Sequence, residues 1–209
     1  MKCKQLSDDD SSMTGLVLPP LNASDLSALL YYLLRDAILI KNTELIKFAL
    51  EQGADVNGTS KSGDTPLHYA IWERSFDVVK FLVAQGADIH AIGEYGRTPL
   101  HCAVWKDSIE MAEFLLSQGT DVNAMGGNGQ TPLLESVQYC SVEMIEYLLS
   151  QGADVHAKNT EGKTVLDRAT DRLNESTRLS DTDEQLRNVI DLLQKAGDGH
   201  KSKTTEPQS

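Results

Sequence analysis

The sequence predicts an all-α solenoid of about five helix-turn-helix units, and three observations carry that prediction. Gly63-Asp64-Thr65-Pro66-Leu67-His68 returns as Gly96-Arg97-Thr98-Pro99-Leu100-His101 and as Gly129-Gln130-Thr131-Pro132-Leu133-Leu134, with a worn copy at Gly162-Lys163-Thr164-Val165-Leu166-Asp167. The step is 33 residues each time. A second phrase keeps the same step: Gln52-Gly53-Ala54-Asp55, Gln85-Gly86-Ala87-Asp88, Gln118-Gly119-Thr120-Asp121 and Gln151-Gly152-Ala153-Asp154. Between the phrases, apolar residues fall at helical spacing, as in Val78, Val79, Leu82 and Val83 or Met144, Ile145, Leu148 and Leu149. A fixed period of this size means units that cannot bury their own apolar faces and stack to do so.

Residues 1–21 are polar, with a short apolar island at Leu16-Val17-Leu18 and a break at Pro19-Pro20, and are expected to form a disordered arm whose island is placed to pack on the first helix. Ser24 or Asn22 caps that helix, whose apolar face runs through Leu26, Leu29, Leu30, Leu33, Leu34, Ala37 and Ile38. In the following units Thr65 and its equivalents cap, Pro66 suits the first helical position, and Leu67 opens the buried face. Ser75, Ser108 and Ser141, with Asn42 in register, cap the second helices, and Asp77, Glu110 and Glu143 suit their positive ends. Gly86 and its equivalents close them in the left-handed conformation. The boundaries are then 22–62, 63–95, 96–128, 129–161 and 162–197, with a polar tail over 198–209 expected to be disordered. In the fifth unit the glycine spacing stretches to 45 between Gly152 and Gly197. An insertion of about twelve residues around Asn174-Glu175-Ser176-Thr177 accounts for it, with Thr182 or Ser180 capping a longer last helix.

The Thr-Pro-Leu-His opening at 65–68 and 98–101, with the Gly-Ala-Asp-Val-Asn exit at 53–57 and its copies at 86–89 and 152–155, resembles the ankyrin repeat over roughly residues 30–197. The resemblance implies a curved helical stack, with hairpin-like connecting loops and atypical terminal caps, that grips another protein. It also implies that His68 and His101 brace neighbouring loops. Where the family usually has glycine between its helices, this chain has Arg74, Asp107 and Cys140, so that turn is either altered or strained.

A formal charge of −12 argues against nucleic acid as a partner and suits a soluble, exposed stack. Cys3, Cys102 and Cys140 have neither a disulfide nor a zinc spacing, and no run is long and apolar enough for a membrane span; a cytoplasmic monomer is the expectation. No metal, cofactor or catalytic residue is indicated. Met125-Gly126-Gly127-Asn128-Gly129 lacks the Lys-Ser or Lys-Thr of a phosphate loop, and Cys102 reads as a small core residue. Trp72 and Trp105, 33 apart, do resist a purely structural reading, because each falls just past the apolar part of its helix. With Glu73, Lys106, Tyr139, Tyr95 and Arg97 they outline an expected partner-binding face on the concave and finger side. The function expected is a non-catalytic protein-binding module, adaptor or blocking inhibitor. The alternatives are a pathogen's secreted effector or an enzyme built on the charged residues of the insertion, Asp171, Arg172, Glu175, Arg178, Asp181, Asp183 and Glu184.

Overall fold

The computed structural model describes residues 22–138, 141–175 and 181–201; the apolar island at 16–18, Tyr139, Cys140 and the centre of the insertion lie outside them. Among the described residues ten helices follow in order: α1 (Ala23–Leu39), α2 (Thr43–Glu51), α3 (Pro66–Trp72), α4 (Phe76–Ala84), α5 (Pro99–Trp105), α6 (Ile109–Ser117), α7 (Pro132–Ser136), α8 (Val142–Ser150), α9 (Val165–Glu175) and α10 (Asp181–Lys201). Each odd-numbered helix packs on the even-numbered helix that follows it, and α1, α3, α5, α7 and α9 stack in line. No strand occurs among the described residues, so the all-α repeat solenoid expected from the sequence is the observed architecture. One continuous core runs its length, in which Leu67, Leu100 and Leu133 recur as buried residues of the odd helices and Val79, Ala112 and Ile145 of the even ones.

Local chemistry starts each helix where the repeats place it. Asn22 rather than Ser24 caps α1, its Oδ1 accepting the Asp25 amide at 2.8 Å, and Asn42 accepts from Leu45 at 3.0 Å in α2. Ser75 and Ser108 hold the cap positions of α4 and α6 without that bond, whereas Ser141 accepts the Met144 amide at 3.3 Å. The worn copy works as well as the intact ones. Asp167 Oδ2 accepts both the amide and the hydroxyl of Thr164, at 2.9 and 2.8 Å, and Thr164 Oγ1 accepts the Asp167 amide in return. The bonds from Thr164 hold the Asp167 carboxyl below its usual range.

The turn between paired helices keeps glycine's conformation without glycine. Lys41, Arg74 and Asp107 take φ of 55°, 54° and 51°, so of the two expectations, altered or strained, strain is what occurs. A side chain in the left-handed region costs about 1–2 kcal/mol, and stacking on both sides overrides it. Arg74 recovers part of that, since its Nη1 donates to the Lys106 carbonyl at 2.6 Å and closes the end of α5. Asp107→Gly is therefore expected to gain about 0.5–1 kcal/mol, after allowing for glycine's greater freedom in the unfolded chain. A urea midpoint that rises at constant slope supports this; a lower midpoint would mean that the aspartate side chain holds the turn.

The fifth unit has the long last helix expected of it but differs from its expected form in the lengthening of α9. Its extra length enters helices: α9 has 11 residues against 7 in α3 and α5, and α10 has 21 against 9 in α4 and α6. Asp171, Arg172 and Glu175 belong to α9, and Asp181, Asp183 and Glu184 to α10, so they do not form one charged loop. Gly197 is not a closing glycine, because α10 runs through it to Lys201, past the boundary expected at 197. Arg172 Nη1 donates to the Val137 carbonyl at 2.6 Å and also to that of Gln138, which ties α9 to the end of α7.

Candidate functional site

Histidine bridges fix the loops that carry the site. The Thr65 amide can only donate, so the His68 Nδ1 that receives it at 3.2 Å is the unprotonated nitrogen; Nε2 then donates to the Arg97 carbonyl at 3.1 Å. His101 repeats this one unit later, with Nδ1 on Thr98 and Nε2 on the Gln130 carbonyl at 3.0 Å. The bracing role implied by the resemblance is thus observed. Gly93 is required at this seat, because a Cβ there would lie 2.8 Å from His68 Nε2 and 2.5 Å from Asp64 Oδ1. Asp64 Oδ1 also accepts the Glu94 amide at 2.8 Å, anchoring the finger from a second side.

Burial lowers the pKa of both histidines, outweighing the carbonyl bonds and nearby carboxylates that act the other way. Their neutral forms are favoured in the fold, so the stability they contribute is complete above the unfolded value of about 6.5 and is lost as pH falls below it towards the depressed folded values. Denaturation at pH 7.5 and 5.5 is expected to show a loss at the lower pH that shrinks in a His68→Gln, His101→Gln double variant. An undiminished loss in that variant would assign the acid sensitivity elsewhere.

On these braced fingers sits a stack of rings and cations. Two short 3-10 turns, Glu94–Gly96 and Gly127–Gly129, form the finger tips, with Tyr95 at φ 57° and 74% exposed. The Arg97 guanidinium lies 5.5 Å from the Tyr95 ring centre and 5.7 Å from that of Trp105, and the Lys106 ammonium is 4.9 Å from Trp105. Four of the seven residues expected at the site, Tyr95, Arg97, Trp105 and Lys106, therefore meet directly. Trp72 occupies the equivalent place on α3, which packs beside α5, and Glu73 is the C-cap of α3. Tyr139 lies outside the described residues.

Two of these residues have structural duties that the sequence did not reveal. Arg97 donates from Nε and Nη2 to Glu135 Oε1, at 3.1 and 2.7 Å, and Glu135 is buried on α7. Trp72 packs edge-on against Tyr69, with centres 5.7 Å apart, and rests on the core. Between the fingers and α7 lies a polar groove of about 460 Å³, lined by Tyr95, Arg97, Asn128, Gln130, Glu135 and Arg168 among others. Leu39 and Ile40, which share the Trp72 and Glu73 registers, are exposed as well; sequence reasoning missed Glu135 and, beside the fingers, the exposed Ile92 and Met125. A signal for the last two did exist, since they too stand 33 apart.

Burial pushes the Cys102 thiol up to about 12, so it stays protonated at neutral pH and behaves as the small core residue expected. His90 and His156 sit in exit turns, where their amides donate to Asp88 and Asp154 at 2.8 Å. Among the described residues no three His, Cys, Asp or Glu side chains group around a metal position, and no helix is long and apolar enough to cross a membrane.

Residues 34–126 match the family model described as ankyrin repeats in three copies, and residues 108–149 match that described as ankyrin repeats in many copies, together more than half of the chain. No curated protein matches it. With the period, the helical stack and the histidine-braced fingers agreeing with those matches, the chain belongs to the ankyrin-repeat family.

Proposed function

We propose that the chain is a non-catalytic adaptor or blocking inhibitor that grips one protein partner with its concave and finger face. Ankyrin repeats are in general protein-protein interaction modules. The observation that carries the reading for this chain is the stack in which exposed Tyr95 and half-buried Arg97, on a finger held from two sides, meet half-buried Trp105 and Lys106 at the end of α5. Trp, Tyr and Arg dominate interface centres, and pre-organised loops lose little entropy on binding. Leu39, Ile40, Ile92 and Met125 add exposed apolar area around that centre. The negative charge disfavours nucleic acid as the ligand, and the proposed working form is a cytoplasmic monomer. Affinity capture with the full chain is expected to return one protein at unit stoichiometry, lost when Trp105 is replaced by alanine. A metabolite bound and consumed by the pure chain would contradict the non-catalytic reading.

A further inference from the structure

The two ends of the array are finished differently. An end repeat has no neighbour on one side and needs a polar outer face to stay soluble. α10 has one, since Glu184, Arg187, Asn188, Asp191, Gln194 and Lys195 are exposed along it while Leu186, Val189 and Leu193 are buried. α1 does not: Leu26 is 46% and Leu29 55% exposed, with half-buried Leu33 in line along one side of the helix. Six of the nine exposed large hydrophobic residues among those described, Leu26, Leu29, Tyr32, Leu39, Ile40 and Phe48, belong to the first unit, so the apolar exposure gathers at this end.

We infer that the segment Leu16-Val17-Leu18-Pro19-Pro20-Leu21 of this same chain folds back along α1 and covers the Leu26, Leu29 and Leu33 stripe, acting as a strap on the face that α1 leaves uncovered. The register at the helix start directs it. Asn22 is the N-cap, so Leu21 precedes the cap and Leu26 is the fourth helical residue, the two positions that pair as a hydrophobic staple at helix entrances. From Leu21 the two prolines impose an extended path of about 3.1 Å per residue. Leu18 therefore reaches about 9 Å and Leu16 about 15 Å from Leu21, while Leu29 and Leu33 lie about 4.5 and 10 Å along the helix from Leu26. The segment is long enough, apolar where the stripe is apolar, and attached at the stripe's own end. The more polar residues 1–15 are not part of the strap.

The test uses the full chain and a variant carrying Leu16→Ser, Val17→Ser and Leu18→Ser, which leaves every described residue unchanged. Amide hydrogen exchange over residues 26–34 is expected to quicken at least tenfold in the variant, while exchange in α5 and α6 stays the same and both proteins sediment as monomers. Equal exchange over 26–34 in the two monomeric proteins would overturn the strap. A native chain that dimerises, with α1 protection rising with concentration, would overturn it in favour of a second copy as the cover. A global rise in exchange in the variant is resolved by a second variant with Cys3→Ser, Leu18→Cys and Leu33→Cys: an intramolecular disulfide supports the strap, and its absence under mild oxidation contradicts it.

Discussion

Arg97→Ala is expected to lower the unfolding free energy by about 2 kcal/mol, more than any other change on the finger face. Glu135 keeps only 5% side-chain exposure, and its Oε1 accepts two bonds from the one guanidinium. Removing Arg97 strands that carboxylate in the groove. Stranding one partner of a fully buried pair typically costs about 3–5 kcal/mol, and the guanidinium's own access to water, at 23%, reduces the expected loss here. Glu135→Leu in the same chain removes the stranded charge and should return most of the stability, so a double-mutant cycle in urea checks the claim. A loss below about 0.5 kcal/mol for Arg97→Ala would show that Glu135 is adequately solvated without its partner. The consequence reaches the binding question: weaker partner capture by Arg97→Ala reports on the loop as well as on the contact.

Trp105→Ala is expected to weaken partner binding at least tenfold, with a loss of about 1 kcal/mol or less in the fold. Its ring is half-buried at the end of α5, and the cations it stacks with, Arg97 and Lys106, both retain other backbone or side-chain anchors. Truncating a central Trp anchor typically costs about 2 kcal/mol or more of binding. Trp72→Ala separates less cleanly. Its edge-on contact with Tyr69 and its seat on the core should cost the fold about 1–2 kcal/mol, so of the two indoles Trp105 is the better probe. Calorimetric titration alongside thermal melts distinguishes the outcomes; a Trp105→Ala chain that melts and binds as the native one does would move the partner to another surface.

Much of the fold could be read without coordinates, because the repeat is a physical period. Leu67, Leu100 and Leu133 must share an environment if their units stack, and they do. The threonine caps and the histidine bridges follow from the same register. What escaped was whatever depends on two repeats meeting. Arg97 and Glu135 are 38 residues apart, and nothing in either unit alone marks them as a pair. Arg74 argues by residue type against a left-handed turn, Asp107 less so, yet both adopt it. The fifth unit departs from the period, so pattern reasoning expected the longer last helix, α10, but not the lengthening of α9. At the site, the Trp register was legible, but the division between anchors and supports was not: Trp72 leans on Tyr69 and Arg97 serves Glu135, and both facts arise only in three dimensions.

The central claim is that the concave and finger face receives the partner. Amide hydrogen exchange of the captured complex against the free chain tests it most directly, since it reports position without altering a residue. Protection is predicted at the finger tips, residues 94–97 and 127–130, and at the ends of the odd-numbered helices, residues 72–73 and 105–106. Protection confined to the even-numbered helices, over 76–84, 109–117 and 142–150, with the fingers exchanging as in the free chain, would contradict the account.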